Sequence, residues 1–156
     1  MNQRYPVLIY ADTSVYGGVF DDEFNEASIA FFDAVKAGGF SLVVSEVVQR
    51  ELDYAPAQVA DFFQSILPLT YLTPVSQEAI DLQQAYIQEG VVTSKSLDDA
   101  LHVALASVAG CDMIISWNFK HIVNFRRIPL FNAVNTLKGY KPISIYSPLE
   151  VVSDEK

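Results

Sequence analysis

Five short runs of β-branched and aromatic residues, separated by segments of helical spacing, constrain this chain more than any other feature. They are VLIYA (7–11), FSLVV (40–44), LTYL (69–72), MIIS (113–116) and ISIY (143–146), each with the length and composition of a strand. Between the first two, Ala27, Ala30, Phe31, Ala34 and Val35 fall on one helical face before a stop at Gly38 and Gly39. Further helices are expected from Ser45 through Leu52, from Ala57 to Leu67, and from Ser76 to Glu89 ahead of Gly90. The stretch SKSLDDALHVALASVAG (94–110) predicts another, apolar nearly all round and therefore buried. Strands alternating with helices predict a mostly parallel sheet covered on both faces, a three-layer α/β/α sandwich of about five strands.

A chain of 156 residues, just over half of them apolar, suits a single domain, expected over residues 1–152 with a short C-terminal tail at 153–156. The net charge of −9 argues against a broad basic surface for duplex DNA. It leaves nucleic acid open as a substrate, because carboxylates that gather a divalent cation add to this total while making a site that attracts phosphate. Cys111 is the lone cysteine, so no internal disulfide forms, and its apolar context reads as a small buried hydrophobe in a reducing cytoplasm. The apolar run near the N-terminus is too short for a membrane span and is interrupted by Asp12, so a cytoplasmic chain without membrane association is expected.

In open parallel sheets, ligands collect beyond the carboxyl ends of the strands. Those ends carry Asp12, Thr13 and Ser14 after the first strand, Ser45 and Glu46 after the second, with Glu51 further along the next helix, and Ser116, Trp117 and Asn118 after the fourth. Asp98 and Asp99 open the helix that leads into that fourth strand. Two readings compete for Asp99. It can complete a capping box with Ser96 as the N-cap, its charge favoured by the helix dipole, or it can be a ligand. Asp12 divides in the same way between a turn or cap and a ligand. Together these carboxylates make a hard-oxygen donor set of the kind that holds magnesium or manganese and assists phosphoryl hydrolysis.

Other chemistry is weaker. His102, one turn from Asp98, reads first as a hydrogen-bonded packing residue and second as a neighbour of the acids. His121 shares a face with Asn118 if that segment is helical, and with Lys120, Arg126 and Arg127 it can contact phosphates or form a solvated cationic surface. Cys111 has no histidine beside it in sequence, and no glycine-rich phosphate loop or zinc spacing occurs; the glycine pairs at 17–18 and 38–39 read as loop and helix-stop signals.

Four of these segments resemble, in order, motifs of the PIN-domain ribonucleases, which include the VapC-type toxins of toxin-antitoxin pairs. IYADTSVY is similar to the first-strand motif and assigns an acid to Asp12; VVSEVVQREL points to Glu51 rather than Glu46; LDDALHVALA assigns Asp99; CDMIISWNF looks like the closing strand. The resemblance implies a Mg2+- or Mn2+-dependent endoribonuclease whose metal is held by Asp12, Glu51 and Asp99. Asn118 stands among its catalytic residues, and Asp98, Thr13, Ser14 and Ser116 are auxiliaries. Lys120, His121, Arg126 and Arg127 are candidate substrate contacts. An RNA substrate, an antitoxin partner and a homodimer follow from the same resemblance.

The chain departs from the family at Asn118, where a fourth aspartate is usual. An amide oxygen brings no charge, which motivates the alternative of a noncatalytic PIN-like module that binds RNA or protein. An aspartyl-nucleophile phosphatase fares poorly, since Asp12 is followed by Thr13 and Ser14 rather than by a second aspartate two residues on.

Overall fold

The computed structural model describes residues 6–152, so the expected tail at 153–156 lies outside the described residues. Five strands form one sheet: β1 (Val7–Ala11), β2 (Phe40–Ser45), β3 (Thr70–Thr73), β4 (Met113–Ile115) and β5 (Ser144–Tyr146). All pairings are parallel, in the order β3-β2-β1-β4-β5. Eight helices accompany them among the described residues: α1 (Thr13–Gly18), α2 (Asn25–Lys36), α3 (Glu46–Asp53), α4 (Ala57–Ile66), α5 (Gln77–Gln88), α6 (Leu97–Val108), α7 (Ile128–Leu137) and α8 (Pro148–Val152). The α/β sandwich expected from the alternating pattern is the fold observed.

Burial follows position in the sheet. In the central strand β1, Ile9, Tyr10 and Ala11 are fully buried, as both faces of a parallel sheet require. At the edge, β3 leaves Tyr71 and Leu72 exposed. Helix α6 buries seven residues, His102 among them, which accounts for its nearly continuous apolar sequence. None of the described helices is long and apolar enough to cross a membrane.

Three helices, α1, α7 and α8, lie where the sequence pattern predicts none, and the third strand begins one residue later than expected. The segment from Trp117 to Arg127 is a chain of turns and not a helix, so His121 does not share a helical face with Asn118. Two asparagines shape it instead. Asn118 Oδ1 accepts from the backbone N–H of Lys120 and His121, and Asn124 Oδ1 from those of Arg126 and Arg127.

The strand order reverses direction between β1 and β4. Such a switch point opens a crevice beyond the carboxyl ends of the two strands. The register sets what lies there: Ala11 pairs with Ile115 and Tyr10 with Val43. Continuing each ladder brings Asp12, Ser116 and Ser45 to one level.

Candidate active site

Asp12 is the fixed point of this crevice. Only 5 % exposed, it caps α1, with Oδ1 accepting from the Ser14 N–H at 3.1 Å and the Ser14 hydroxyl at 2.6 Å. Its Oδ2 accepts from the Ser116 hydroxyl at 2.7 Å. The capping reading of Asp12 is thus observed, and the carboxylate sits at the switch point while it caps. Burial pushes its carboxyl above the ordinary range, against the field of His102 and the hydrogen bonds from Ser116 and Ser14.

Glu51 reaches the same place from the second turn of α3. Its Oε1 accepts from the Thr13 hydroxyl and lies 3.2 Å from His102 Nε2. Burial opposes its ionisation, but the hydrogen bonds from His102 and Thr13 prevail and hold its carboxyl below the usual range. Glu46, the acid that opens this helix, turns away and accepts from the Val75 N–H.

The N-terminus of α6 brings in Asp99. Ser96 makes no side-chain cap, so the expected capping box is absent. Asp99 Oδ1 instead accepts from Asn118 Nδ2 at 3.0 Å, across the crevice from the loop after β4. Burial raises its carboxyl, the charges of His121 and His102 lower it, and the like charge of Asp12 raises it further. Asp98 is exposed and makes no side-chain hydrogen bond among the described residues, so the structure does not join it to the other acids.

His102 was the residue that sequence reasoning undervalued. Its Nδ1 lies 2.7 Å from the Tyr10 hydroxyl, which is 2.7 Å from Ser45 Oγ, and in either charge state its Nε2–H can donate to Glu51. It faces the acids because α6 places it three residues after Asp99, one turn along the same face. That spacing was the available signal. Trp117, placed at the fourth strand end by the sequence but given no role there, is a tether: its backbone N–H donates to Ser14 Oγ at 2.9 Å and its indole to Ser28 Oγ at 2.9 Å, tying the β4 loop to the cap of α1 and to α2.

The remaining candidates surround this core unevenly. His121 lies close enough to Asp99 to act on its charge, and its Nδ1 is 3.0 Å from Arg127 Nη1. Lys120 and Arg126 are exposed. Cys111 is buried just before β4, where burial pushes its thiol up to about 12, consistent with a packing role.

The donor set suits a hard divalent cation in kind, being three carboxylates at one crevice, two of them with raised pKa values that a cation would offset. Its arrangement is not that of a ready-made cage. Among the described residues, no three histidine, cysteine, aspartate or glutamate side chains are gathered as a metal site. One oxygen of Glu51 is engaged by His102 and one of Asp99 by Asn118, so a cation drawing all three acids inward would compete with these nitrogen donors.

No family model matches the chain, and no curated protein matches it. Solved structures do. The chain is similar to one in the structure of FitAB bound to an IR36 DNA fragment (15 % identity, 90 % of this chain and 94 % of that one, TM-score 0.59). It is similar also to one of FitAcB from Neisseria gonorrhoeae (15 % identity, 90 % and 97 %, TM-score 0.58). A third is VapBC2 from Rickettsia felis bound to a DNA fragment from their promoter (12 % identity, 90 % and 98 %, TM-score 0.59). Similarity at this level over nearly whole chains is a sharing of fold, and the fold is the PIN-like one expected from the sequence.

Proposed function

We propose that this chain is a metal-dependent endoribonuclease that hydrolyses RNA phosphodiester bonds and serves as the toxin of a toxin-antitoxin pair. The observation that carries the reading is that Asp12 and Asp99, linked through Ser116 and Asn118, and Glu51, held by Thr13 and His102, come from three separate elements to the switch point of the sheet, where the charge of His102 acts on all three.

In this reading Asp12, Glu51 and Asp99 hold Mg2+ or Mn2+. When bound, the cation supplies charge to polarise the phosphodiester and to favour hydroxide at neutral pH. The chain's own residues do the rest. Ser14 and Ser116 fix both oxygens of Asp12, Thr13 orients Glu51, and Asn118 holds Asp99 toward the crevice. His102 provides a buried donor beside Glu51 that balances the cluster before the metal enters. Lys120, His121, Arg126 and Arg127 lie on the loop next to Asp99, where an RNA backbone would pass.

The FitAB and VapBC2 neighbours support an antitoxin protein as partner, and a homodimer belongs to the same proposal. The noncatalytic reading keeps a specific observation in its favour, namely Asn118 at the fourth position together with acids not gathered into a cage. A cleavage assay separates the two. Purified protein should cut single-stranded RNA in manganese or magnesium and stop on addition of EDTA. Asp12→Asn, Glu51→Gln and Asp99→Asn should each remove most of that activity while circular dichroism stays unchanged. Inactivity of the wild type on diverse RNAs with both metals would favour the binding module.

A further inference from the structure

The loop from Ser116 to Arg127 presents a large aromatic side chain to solvent on a backbone that is firmly held. Phe125 is 79 % exposed, yet Ile122 in the same loop is fully buried and anchors it to the core. Asn124 closes the turn, accepting from the Arg126 and Arg127 N–H groups at 3.0 and 3.3 Å while its Nδ2 donates to the Lys120 carbonyl at 3.1 Å. A phenyl ring exposed in this way gains little from folding, because burial energy scales with the apolar area removed from water.

Its surroundings are cationic. The Arg126 guanidinium carbon lies 5.5 Å from the centroid of the Phe125 ring. Lys120, Arg126 and Arg127 form no ion pair with an acid among the described residues. From 113 to 149 the sequence contains no aspartate or glutamate, yet it holds five of the ten lysines and arginines of a chain whose net charge is −9. That acid-free run was visible in the sequence and marks the surface as one suited to an anion.

The loop is also coupled to the acids. Asn118, whose Oδ1 shapes its first turn, bonds Asp99 through Nδ2 at 3.0 Å. Phe119, the other exposed aromatic of the loop, lines a separate recess with Glu23 and Glu26, whose charges repel phosphate. Within this loop, Phe125 combines an exposed ring with neighbouring cations that form no ion pair among the described residues.

We propose that Phe125, with Arg126 and Lys120, forms a subsite that stacks one unpaired nucleobase while the cations hold the flanking phosphates, making the protein select single-stranded over paired RNA. Base-aromatic stacking with backbone cations is how single strands are gripped without sequence readout, and a duplex keeps its bases out of reach of such a ring. This rests on the nuclease reading for the use of the bound strand, but the binding itself does not require cleavage.

The test is fluorescence anisotropy of a labelled oligoribonucleotide, single-stranded or annealed to its complement, with EDTA present so that nothing is cut. Wild type should bind the single strand more tightly than the duplex. Phe125→Ala should weaken single-strand binding by about 5- to 150-fold, the loss of one base-aromatic stack, and leave the duplex unchanged. Phe125→Trp should restore binding, Phe125→Leu should not, and Arg126→Gln should flatten the salt dependence. Equal single-strand affinity for wild type and Phe125→Ala would overturn the subsite, as would no measurable wild-type binding. So would dissociation of an oligomer by Phe125→Ala in sedimentation with RNA affinity unchanged, which would make the ring a protein contact. Cleavage in manganese that ignores Phe125 would sink the subsite and keep the nuclease. Phe125-dependent binding without cleavage would do the reverse.

Discussion

Asn118 donates from its side-chain nitrogen to Asp99 at 3.0 Å, so the residue that departs from the PIN pattern is bonded to the acid it would otherwise repel. An aspartate at that position would be an acceptor facing an acceptor. Asn118→Asp should therefore lower the stability of metal-free protein by about 1 to 3 kcal/mol, through a lost donor and a new like charge. It should tighten manganese binding several-fold in calorimetric titration, because a fourth anionic oxygen joins the set. Unchanged or weaker manganese affinity would place Asn118 outside the metal site.

A pH dependence follows from His102. Burial opposes its charge, but the hydrogen bond to Glu51 and the fields of Asp12, Glu51 and Asp99 outweigh that and raise its pKa above the ordinary 6.5. A proton held more tightly in the folded state stabilises fully below 6.5, and that contribution disappears as pH rises through the folded value. Asp12 and Asp99, also raised, act in the same sense from the ordinary value of 3.8 upward, while Glu51, lowered, contributes in the opposite sense and loses its share as pH falls. The melting temperature in EDTA should thus decline as pH rises above 6.5, and His102→Gln should flatten that decline. Parallel pH profiles for the two proteins would contradict the assignment.

Tyr16 offers a test of the core that supports Asp12. Its ring is fully buried against Phe32 and Phe63, at centroid distances of 4.9 and 5.3 Å, and its hydroxyl has no partner among the described residues. Tyr16→Phe keeps the ring and deletes the orphan group. Stability should hold or rise, by up to about 3 kcal/mol, in denaturant unfolding. A clear loss of stability would mean that this hydroxyl is satisfied in solution.

The strands and longer helices were legible because their apolar residues recur at periods that survive in any single sequence. The short helices were not. In α1 the glycine pair at 17–18 reads as a break, yet both glycines lie in the helix, and Gly18 is needed for packing. A Cβ there would come within 2.5 Å of Ser28 Oγ and 2.7 Å of the Trp117 indole nitrogen, which bond each other. Helix α7 hides behind Pro129 in its first turn, a position where proline costs nothing. The position of Asp12 at a strand end was legible because parallel topology fixes where strand ends go, and Glu51 and Asp99, both on helices, were singled out by the family resemblance. What they touch was not legible, since Asn118 with Asp99 and Glu51 with His102 are pairings between distant segments that no local pattern encodes.

The claim that the carboxylates act together as a metal site is tested most directly by thermal melts of wild type and Asp99→Asn, each in EDTA and in excess manganese. If Asp99 shares a site with Asp12 and Glu51, removing its charge relieves repulsion, so Asp99→Asn should melt in EDTA at or above the wild-type temperature. Manganese should then stabilise wild type by RT ln(1 + [L]/Kd), about 2.7 kcal/mol at a hundredfold excess over Kd, and the variant by clearly less. If Asp99 served only the helix dipole, the substitution would cost about 0.3 to 1 kcal/mol with or without metal. An equal manganese shift in the two proteins would contradict the metal site.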